Sequence, residues 1–430
     1  MEDNMNRTVL KYLKQEGPSE RKQIIAAVIG TLVCCGLVTP ESALAMQTAN
    51  TEATLGVTLS AEQDDNIYLS SDTTGDVKED DLIFHIIPEL DMTRFFGDHN
   101  LNANLNGDFR KGADIIDGEM NLEAGIGVDF NFSGGLMIGL SDSYINEEFD
   151  QQLYTELGVS DHQANTYGAK AAYSFGWRTS IEAAYSHMWE EYDDQPVKSV
   201  YDTDTVTGRL IVPVSTRWKS YIDAKVETIE SDEVPIRNDD SVEGVLGLRW
   251  DGPNRFSCWI EGGASEHDYE HNAEVDYSEA VGEAGVEVAL TEWSFLQASI
   301  GQNSYGELKY DGIFRHNFQD KFEMTLGVSQ DTVRSYVIDS DEQIYDTTLF
   351  KLELNSTFWE RIEAGLMASY QTQDKKDDSI ETIIGKATLD YPIQDWIKTG
   401  AHYQYATRTA DNAQEEYDDN RIGLFVTVSL

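Results

Sequence analysis

The chain has 430 residues, 78 of them acidic and 31 basic, for a formal net charge of −47. That charge excludes nucleic acid as a natural partner, because phosphate binding needs clustered Lys and Arg. Apolar residues make up 40%, and beyond residue 45 none of the apolar runs reaches the ~18 residues that a helical membrane span requires.

Residues 1–45 read as a secretory signal. Arg21 and Lys22 precede an apolar run over 24–38, and Ala43-Leu44-Ala45 has the small-x-small form of a cleavage site, with Met5 a second candidate start. Cys34 and Cys35 fall inside this signal, and Leu32-Val33 before them lacks the lipoprotein form. Cleavage leaves a short segment, 46–52, and a single body, 53–430. Cys258 is the one cysteine of that body, so neither an internal disulfide nor a cysteine metal cluster is expected. It lies on the apolar side of its segment, as a small hydrophobe does.

Period two governs the body. The 53–93 stretch is interrupted at Pro88, which removes a ladder donor. Over 100–110, Leu101, Ala103, Leu105 and Phe109 share one face, and Asn102, Asn104, Asn106, Asp108 and Arg110 the other. The 118–132 segment is the clearest case. Met120, Leu122, Ala124, Ile126, Val128, Phe130 and Phe132 alternate with Asn121, Glu123, Gly125, Gly127, Asp129 and Asn131. Successive strand side chains point to opposite sides, so each such segment is a strand with one apolar and one polar face. The pattern returns over 281–291 and 322–329, and it ends with Ile422, Leu424, Val426, Val428 and Leu430 on the apolar face.

The connections are of two kinds. Nine are tight, at Phe96-Gly97-Asp98, Ser133-Gly134-Gly135, Phe175-Gly176-Trp177, Pro213-Val214-Ser215, Gly252-Pro253-Asn254, Thr291-Glu292-Trp293, Phe318-Gln319-Asp320, Trp359-Glu360-Arg361 and Pro392-Ile393-Gln394. The others are longer and acidic, and carry Glu147-Glu148, Glu190-Glu191, Asp193-Asp194, Asp232-Glu233, Asp239-Asp240, Asp377-Asp378, Glu415-Glu416 and Asp418-Asp419. Short turns on one rim and long loops on the other, the short ones periplasmic, are the pattern of a transmembrane barrel. The expected fold is therefore all-β, an antiparallel up-and-down transmembrane β-barrel of 16–20 strands with no plug domain. The interval between Trp293 and Phe318 is short for a hairpin. Aromatics gather near the tight turns (Phe95, Phe96, Phe175, Trp177, Trp218, Trp250, Trp293, Phe318, Phe358, Trp359, Tyr391 and Trp396), where a membrane interface places a girdle.

The polar faces carry both signs of charge. Expected to line the lumen are Arg110, Glu123, Asp129, Arg178, Glu182, Arg217, Lys219, Glu261, Glu283, Glu287, Glu323, Lys351, Glu353, Lys398 and Arg421, with Asp223, Glu227, Glu243, Glu363, Lys170, Arg209, Lys225, Arg249, Arg315 and Arg408 beside them. A wall this charged needs water or ion pairing, and a barrel of this size is too wide for its side chains to fill. Catalysis is not expected. The eight His residues are scattered, with no G-x-S-x-G, and His267 and His271 stand four apart in a loop, a spacing that suits a metal on a helix instead. No cofactor or resident metal is implied. Acidic loops could gather divalent cations weakly, since Ca²⁺ takes several carboxylate oxygens.

Two motifs carry a family resemblance. Asp64-Asp65-Asn66-Ile67-Tyr68-Leu69, then Asp80-Asp81-Leu82-Ile83 and Pro88, together with Asp418-Asp419-Asn420-Arg421-Ile422-Gly423-Leu424 at the end, resemble the opening and closing strands of the beta-barrel porin 2 family of outer-membrane barrels. The terminal Leu430 departs from the Phe that usually ends such a barrel. The resemblance implies export of extracellular polysaccharide, with periplasmic export components as partners, in the outer membrane of a Gram-negative cell. Three readings stand beside it: a general diffusion porin constricted by an inward loop at 150–165, an adhesive barrel whose acidic loops hold cations, and a sheath around a multihaem cytochrome.

Overall fold

The computed structural model describes residues 50–66, 80–113, 119–149, 160–176, 178–194, 197–231, 238–253, 255–269, 277–318, 321–334, 344–359, 361–375, 378–410 and 416–429. The signal reading, Cys34 and Cys35, Trp177, Asp232-Glu233, His271 and Leu430 lie outside the described residues. Every element among them is a strand: β1 (Thr51–Asp64), β2 (Asp81–Phe96), β3 (His99–Gly112), β4 (Glu119–Asn131), β5 (Leu136–Phe149), β6 (Ser160–Phe175), β7 (Thr179–Asp194), β8 (Val197–Pro213), β9 (Trp218–Glu230) and β10 (Asp239–Asp251). The second half continues with β11 (Phe256–Tyr269), β12 (Tyr277–Ala289), β13 (Ser294–Gln302), β14 (Leu308–Phe318), β15 (Phe322–Arg334), β16 (Ile344–Phe358), β17 (Ile362–Lys375), β18 (Asp378–Gln394), β19 (Ile397–Ala410) and β20 (Tyr417–Ser429). Each strand pairs antiparallel with the next, and β20 pairs with β1, so the sheet closes at 20 strands. The short span between Trp293 and Phe318 is resolved by the two shortest strands, β13 with 9 residues and β14 with 11, joined by a tight turn in which the Asn303 side chain accepts from the Tyr305 and Glu307 amides.

The other strands have 13 to 17 residues, and this corrects the reading of the acidic runs. Glu147-Glu148 belong to β5, Glu190-Glu191 and Asp193-Asp194 to β7, Asp239-Asp240 to β10 and Asp418-Asp419 to β20. They are strand ends rather than loops, because ladder bonds continue past the point where the side chains turn acidic. Accordingly the β7–β8 and β17–β18 connections shrink to two residues each, 195–196 and 376–377. The proposed inward loop is also shortened, since 160–165 lies in β6. On the other rim, the last tight turn falls at Asp395-Trp396, and Pro392 and Gln394 carry a register shift instead. Pro88 sits mid-strand opposite Val57, and the β2–β3 ladder skips Ile87 and Pro88 where the amide hydrogen is missing.

Two of the short turns use glycine in the left-handed region, Gly97 at φ 69° and Gly135 at φ 85°, where an L side chain is strained. The apolar face is turned outward, with Leu246 and Ile260 each 62% exposed and Leu424 67% exposed. A soluble protein would bury such residues, whereas a transmembrane barrel presents them to lipid. Outer-face aromatics ring the short-turn rim. The rings of Trp218 and Trp250 lie tilted with centroids 6.2 Å apart, Trp250 meets Phe256 edge-on at 5.6 Å, and Phe318 lies tilted against Phe322 at 5.1 Å. Phe95 is the exception, because its register with Asn100 puts it on the polar face.

Closure is sealed by the two Asp-Asp-Asn motifs. The Asp65 amide donates to the Asn420 carbonyl at 3.2 Å, and the Asn420 amide and side chain donate back to the Asp65 carboxylate at 2.7 and 2.9 Å. Asn66 Nδ2 donates to the Asp418 carbonyl at 2.8 Å. Arg421 Nε stands 3.1 Å from Asp64 and 2.8 Å from Asp419, both buried. Removing one partner of a buried ion group leaves uncompensated charge. Arg421→Met should therefore lower the stability of the refolded barrel by about 3 kcal/mol, read as a shift of the urea midpoint by tryptophan fluorescence. An unchanged midpoint would show that the seam does not depend on this arginine.

Candidate functional site

The polar face points inward, and the glycines show it. On the apolar face, a Cβ built at Gly208, Gly244 or Gly385 meets nothing within 4 Å, whereas on the polar face a Cβ at Gly125, Gly139, Gly247, Gly285, Gly400 or Gly423 runs into a neighbouring side chain. Side chains converge on a concave surface and diverge on a convex one.

These inner glycines let side chains lie along the wall, and several of them reach two strands away. Lys170 on β6 crosses Gly139 on β5 to meet Asp129 on β4 at 3.2 Å. Tyr221 on β9 lies over Gly247 on β10 and donates to Glu261 on β11 at 2.7 Å. Trp259 on β11 lies over Gly285 on β12, and its indole N–H donates to Glu283 at 2.9 Å. His402 on β19 lies over Gly423 on β20 to pair with Glu62 on β1. Lys309 on β14 meets Glu283 two strands back at 3.2 Å.

Most of the charged residues expected on the wall are brought together in such pairs. Arg249 donates to Glu287 and Asp251, each at 3.0 Å, while Lys219 meets Asp251 at 2.6 Å. Arg315 pairs with Glu323 at 3.5 Å, Lys351 with Glu353 at 2.7 Å, and Lys398 with Asp390 at 2.5 Å and Glu363 at 3.3 Å. Glu182 stands in register with Arg209, which holds Asp223 through two bonds of 2.7 Å. Arg110 donates to Asn121 at 3.4 Å, and Glu123 stands opposite Asn106. Arg178 and Arg217 depart from the expectation. Both lie in short turns, Arg178 at φ 66° and Arg217 with its carbonyl accepting from the Asp251 amide. The alternation was extended through residues that instead reverse the chain. Asp251, Tyr221 and Lys309 join the wall beside Arg249, Lys219 and Arg315, whose parity they share, and Asp390 joins it from β18, a strand with no residue expected on the lumen face.

The wall is not uniform along the barrel. Near the short-turn rim inner-face residues such as Asn355 and Thr357 are exposed. Toward the other rim they are buried, with Tyr201 and Ile380 at 1% and Ala406 at 0%, and Ile384, Ala406 and Tyr417 form an apolar cluster. The outer third of the inner wall is dry.

Asp64, Asp65 and Asp419 stand close enough to share a cation, but Arg421 meets two of these carboxylates and Asn420 holds the third. His267 pairs with Asp239 at 3.2 Å and stacks on Tyr305, which is a structural contact. On the outer face Ser294 Oγ lies 2.7 Å from His316 Nδ1, with Phe314 and Phe318 against the imidazole. The contacts of this imidazole are a hydroxyl and two aromatic rings, whereas a hydrolytic triad needs a carboxylate to orient it.

No protein-family profile matches the sequence, and no curated protein does. Solved structures match by fold. The siderophore receptor PirA from Acinetobacter baumannii superposes with a TM-score of 0.53 at 9% identity over 88% of this chain and 80% of that one. A mutant of the ferric enterobactin receptor PfeA from Pseudomonas aeruginosa gives 0.51 at 7% identity (87% and 80%), and the copper transporter OprC gives 0.51 at 11% (89% and 80%). At these identities the likeness is one of fold, that of an outer-membrane β-barrel.

The two faces and the dry zone predict a labelling order. With Cys258 replaced by Ser, a cysteine at Asn355 should react quickly with a charged maleimide in vesicles, one at Thr382 slowly, and one at outer-face Leu326 not at all. Equal rates at Asn355 and Thr382 would contradict the dry outer third.

Proposed function

We propose that this chain is an outer-membrane channel for a bulky, hydroxyl-rich solute, with extracellular polysaccharide as the cargo class. The carrying observation is the tangential packing of the inner wall: charged side chains pair along the sheet over glycines rather than projecting across the lumen. Pairing of this kind compensates the wall's cations while leaving hydrogen-bonding edges available, which suits a hydroxyl-rich polymer better than a small anion.

Delivery through the inner membrane by the 1–45 signal and residence in outer-membrane lipid belong to the same reading, as do periplasmic export components below the short-turn rim. Siderophore receptors and a copper transporter share the barrel fold, which supports transport only by fold-level analogy. The cargo class rests on the resemblance of the opening and closing motifs. The dry outer third favours a second reading, a diffusion porin for small hydrophilic solutes, because buried inner-face side chains narrow the passage at that level.

Refolded residues 46–430 in planar bilayers should give discrete conductance steps that a soluble polysaccharide fragment blocks. Steps insensitive to polymer but permeable to small sugars would favour the porin. Absence of any conductance would remove the channel reading.

A further inference from the structure

We propose that Arg178, Arg217 and Arg255 form a basic arc on the short-turn rim that holds anionic phospholipid headgroups of the adjoining leaflet, an inference that rests on residence in outer-membrane lipid and not on what the lumen carries. Each arginine is the last residue of its turn, directly before β7, β9 or β11. The three turns are consecutive along the rim, each two strands from the next, roughly 10 Å. Their sequences, Gly176-Trp177-Arg178, Val214-Ser215-Thr216-Arg217 and Gly252-Pro253-Asn254-Arg255, contain no acid. All three side chains are exposed, and among the described residues none of them meets a carboxylate. Carboxylates are not lacking nearby, since Lys219 and Arg249 on the inner wall both pair with Asp251. Arg178 at φ 66° and Arg255 at φ 56° also occupy the left-handed region, where Gly or Asn sits at lower cost. An arginine kept in that conformation points to a use for its charge.

The surroundings select the partner. Trp218 and Phe256 directly follow two of the arginines and, with Trp250, belong to the outer-face aromatics. Tyr173 meets Phe175 edge-on at 4.6 Å beside the third. An arginine next to interfacial aromatics stands at headgroup depth, where its stem covers apolar surface and its guanidinium reaches outward. The guanidinium fork matches a phosphate with two parallel N–H donors. Below the arc the outer face of these strands is uncharged, with Ile181, Val212, Ile222, Leu248 and Ile260 on it. The far end has the opposite sign, because Asp202, Asp204 and Asp240 stand exposed on the outer faces of β8 and β10. An anionic headgroup is therefore attracted at one end of these strands and repelled at the other. A soluble acidic protein segment would have no need of the aromatic girdle, whereas a lipid uses girdle and guanidinium together.

The test uses refolded residues 46–430 with Cys258→Ser and a bimane label on Val212→Cys, an outer-face position of β8 beside the Arg217 turn. The protein is placed in phosphatidylcholine vesicles containing a minor share of phosphatidylglycerol, with brominated chains on one lipid or the other. The ratio of the two quenching efficiencies reads the local lipid preference. With all three arginines present, phosphatidylglycerol should be favoured roughly three- to fivefold, and less so at high salt. The triple variant Arg178→Gln, Arg217→Gln, Arg255→Gln changes only exposed turn residues and should abolish the preference. Lys321→Gln with Arg361→Gln removes two rim cations that follow Asp320 and Glu360 in their turns, and should leave the preference unchanged. An undiminished preference in the triple variant, or an equal loss in the double variant, overturns the arc. Quenching by both lipids without preference keeps the barrel in lipid and removes the arc. Quenching by neither removes the residence in lipid itself.

Discussion

Everything in this molecule depends on the pairing of β20 with β1. In hydrocarbon an unpaired strand edge leaves a row of N–H and C=O groups without partners, at several kcal/mol each. A 20-stranded sheet is tolerated there only because its first and last strands meet. The register from Gly56 opposite Ser429 to Asp64 opposite Arg421 supplies that contact. The Asp-Asp-Asn motifs then lock its outer end through side chains as well as backbone. Residues far apart in the chain are thereby made neighbours, and buried Asp64 and Asp419 depend on one arginine.

Closure sets the character of the two surfaces. The outer face needs only to be apolar, with aromatics near the interface. The inner face must hold many charges in a wide lumen, and its glycines solve the packing. Where Gly139, Gly247 and Gly423 remove a side chain, a neighbour can lie flat and find its partner two strands away. Charge is thus paired within the wall, and the pairing of Lys170 with Asp129 or Arg249 with Glu287 keeps long side chains from filling the lumen. The same packing lays Tyr221 and Trp259 over glycines of the wall.

Much of the candidate site was legible from parity. Glu261, Glu283 and Lys351 were placed on the polar face by counting in twos, and the register agrees with that count. Parity failed where the chain stops being a strand, at Arg178 and Arg217, and in the acidic runs, where it does not report how far the ladder continues. It also could not reveal the partners. Lys170 and Asp129 are 41 positions apart in sequence, and only the stagger of three neighbouring strands brings them together.

By itself the sequence determined that the chain is made of two-faced strands, that short turns mark one rim, and which residues belong to the polar face. These are local properties, because side-chain direction in a strand repeats every two residues whatever the strand pairs with. The tertiary structure alone decided the strand number of 20, the clasp at the seam, the dry outer third and the flat seating of Tyr221 and Trp259 on glycine. Those depend on inter-strand register and closure, which join residues tens to hundreds of positions apart and which no local period encodes.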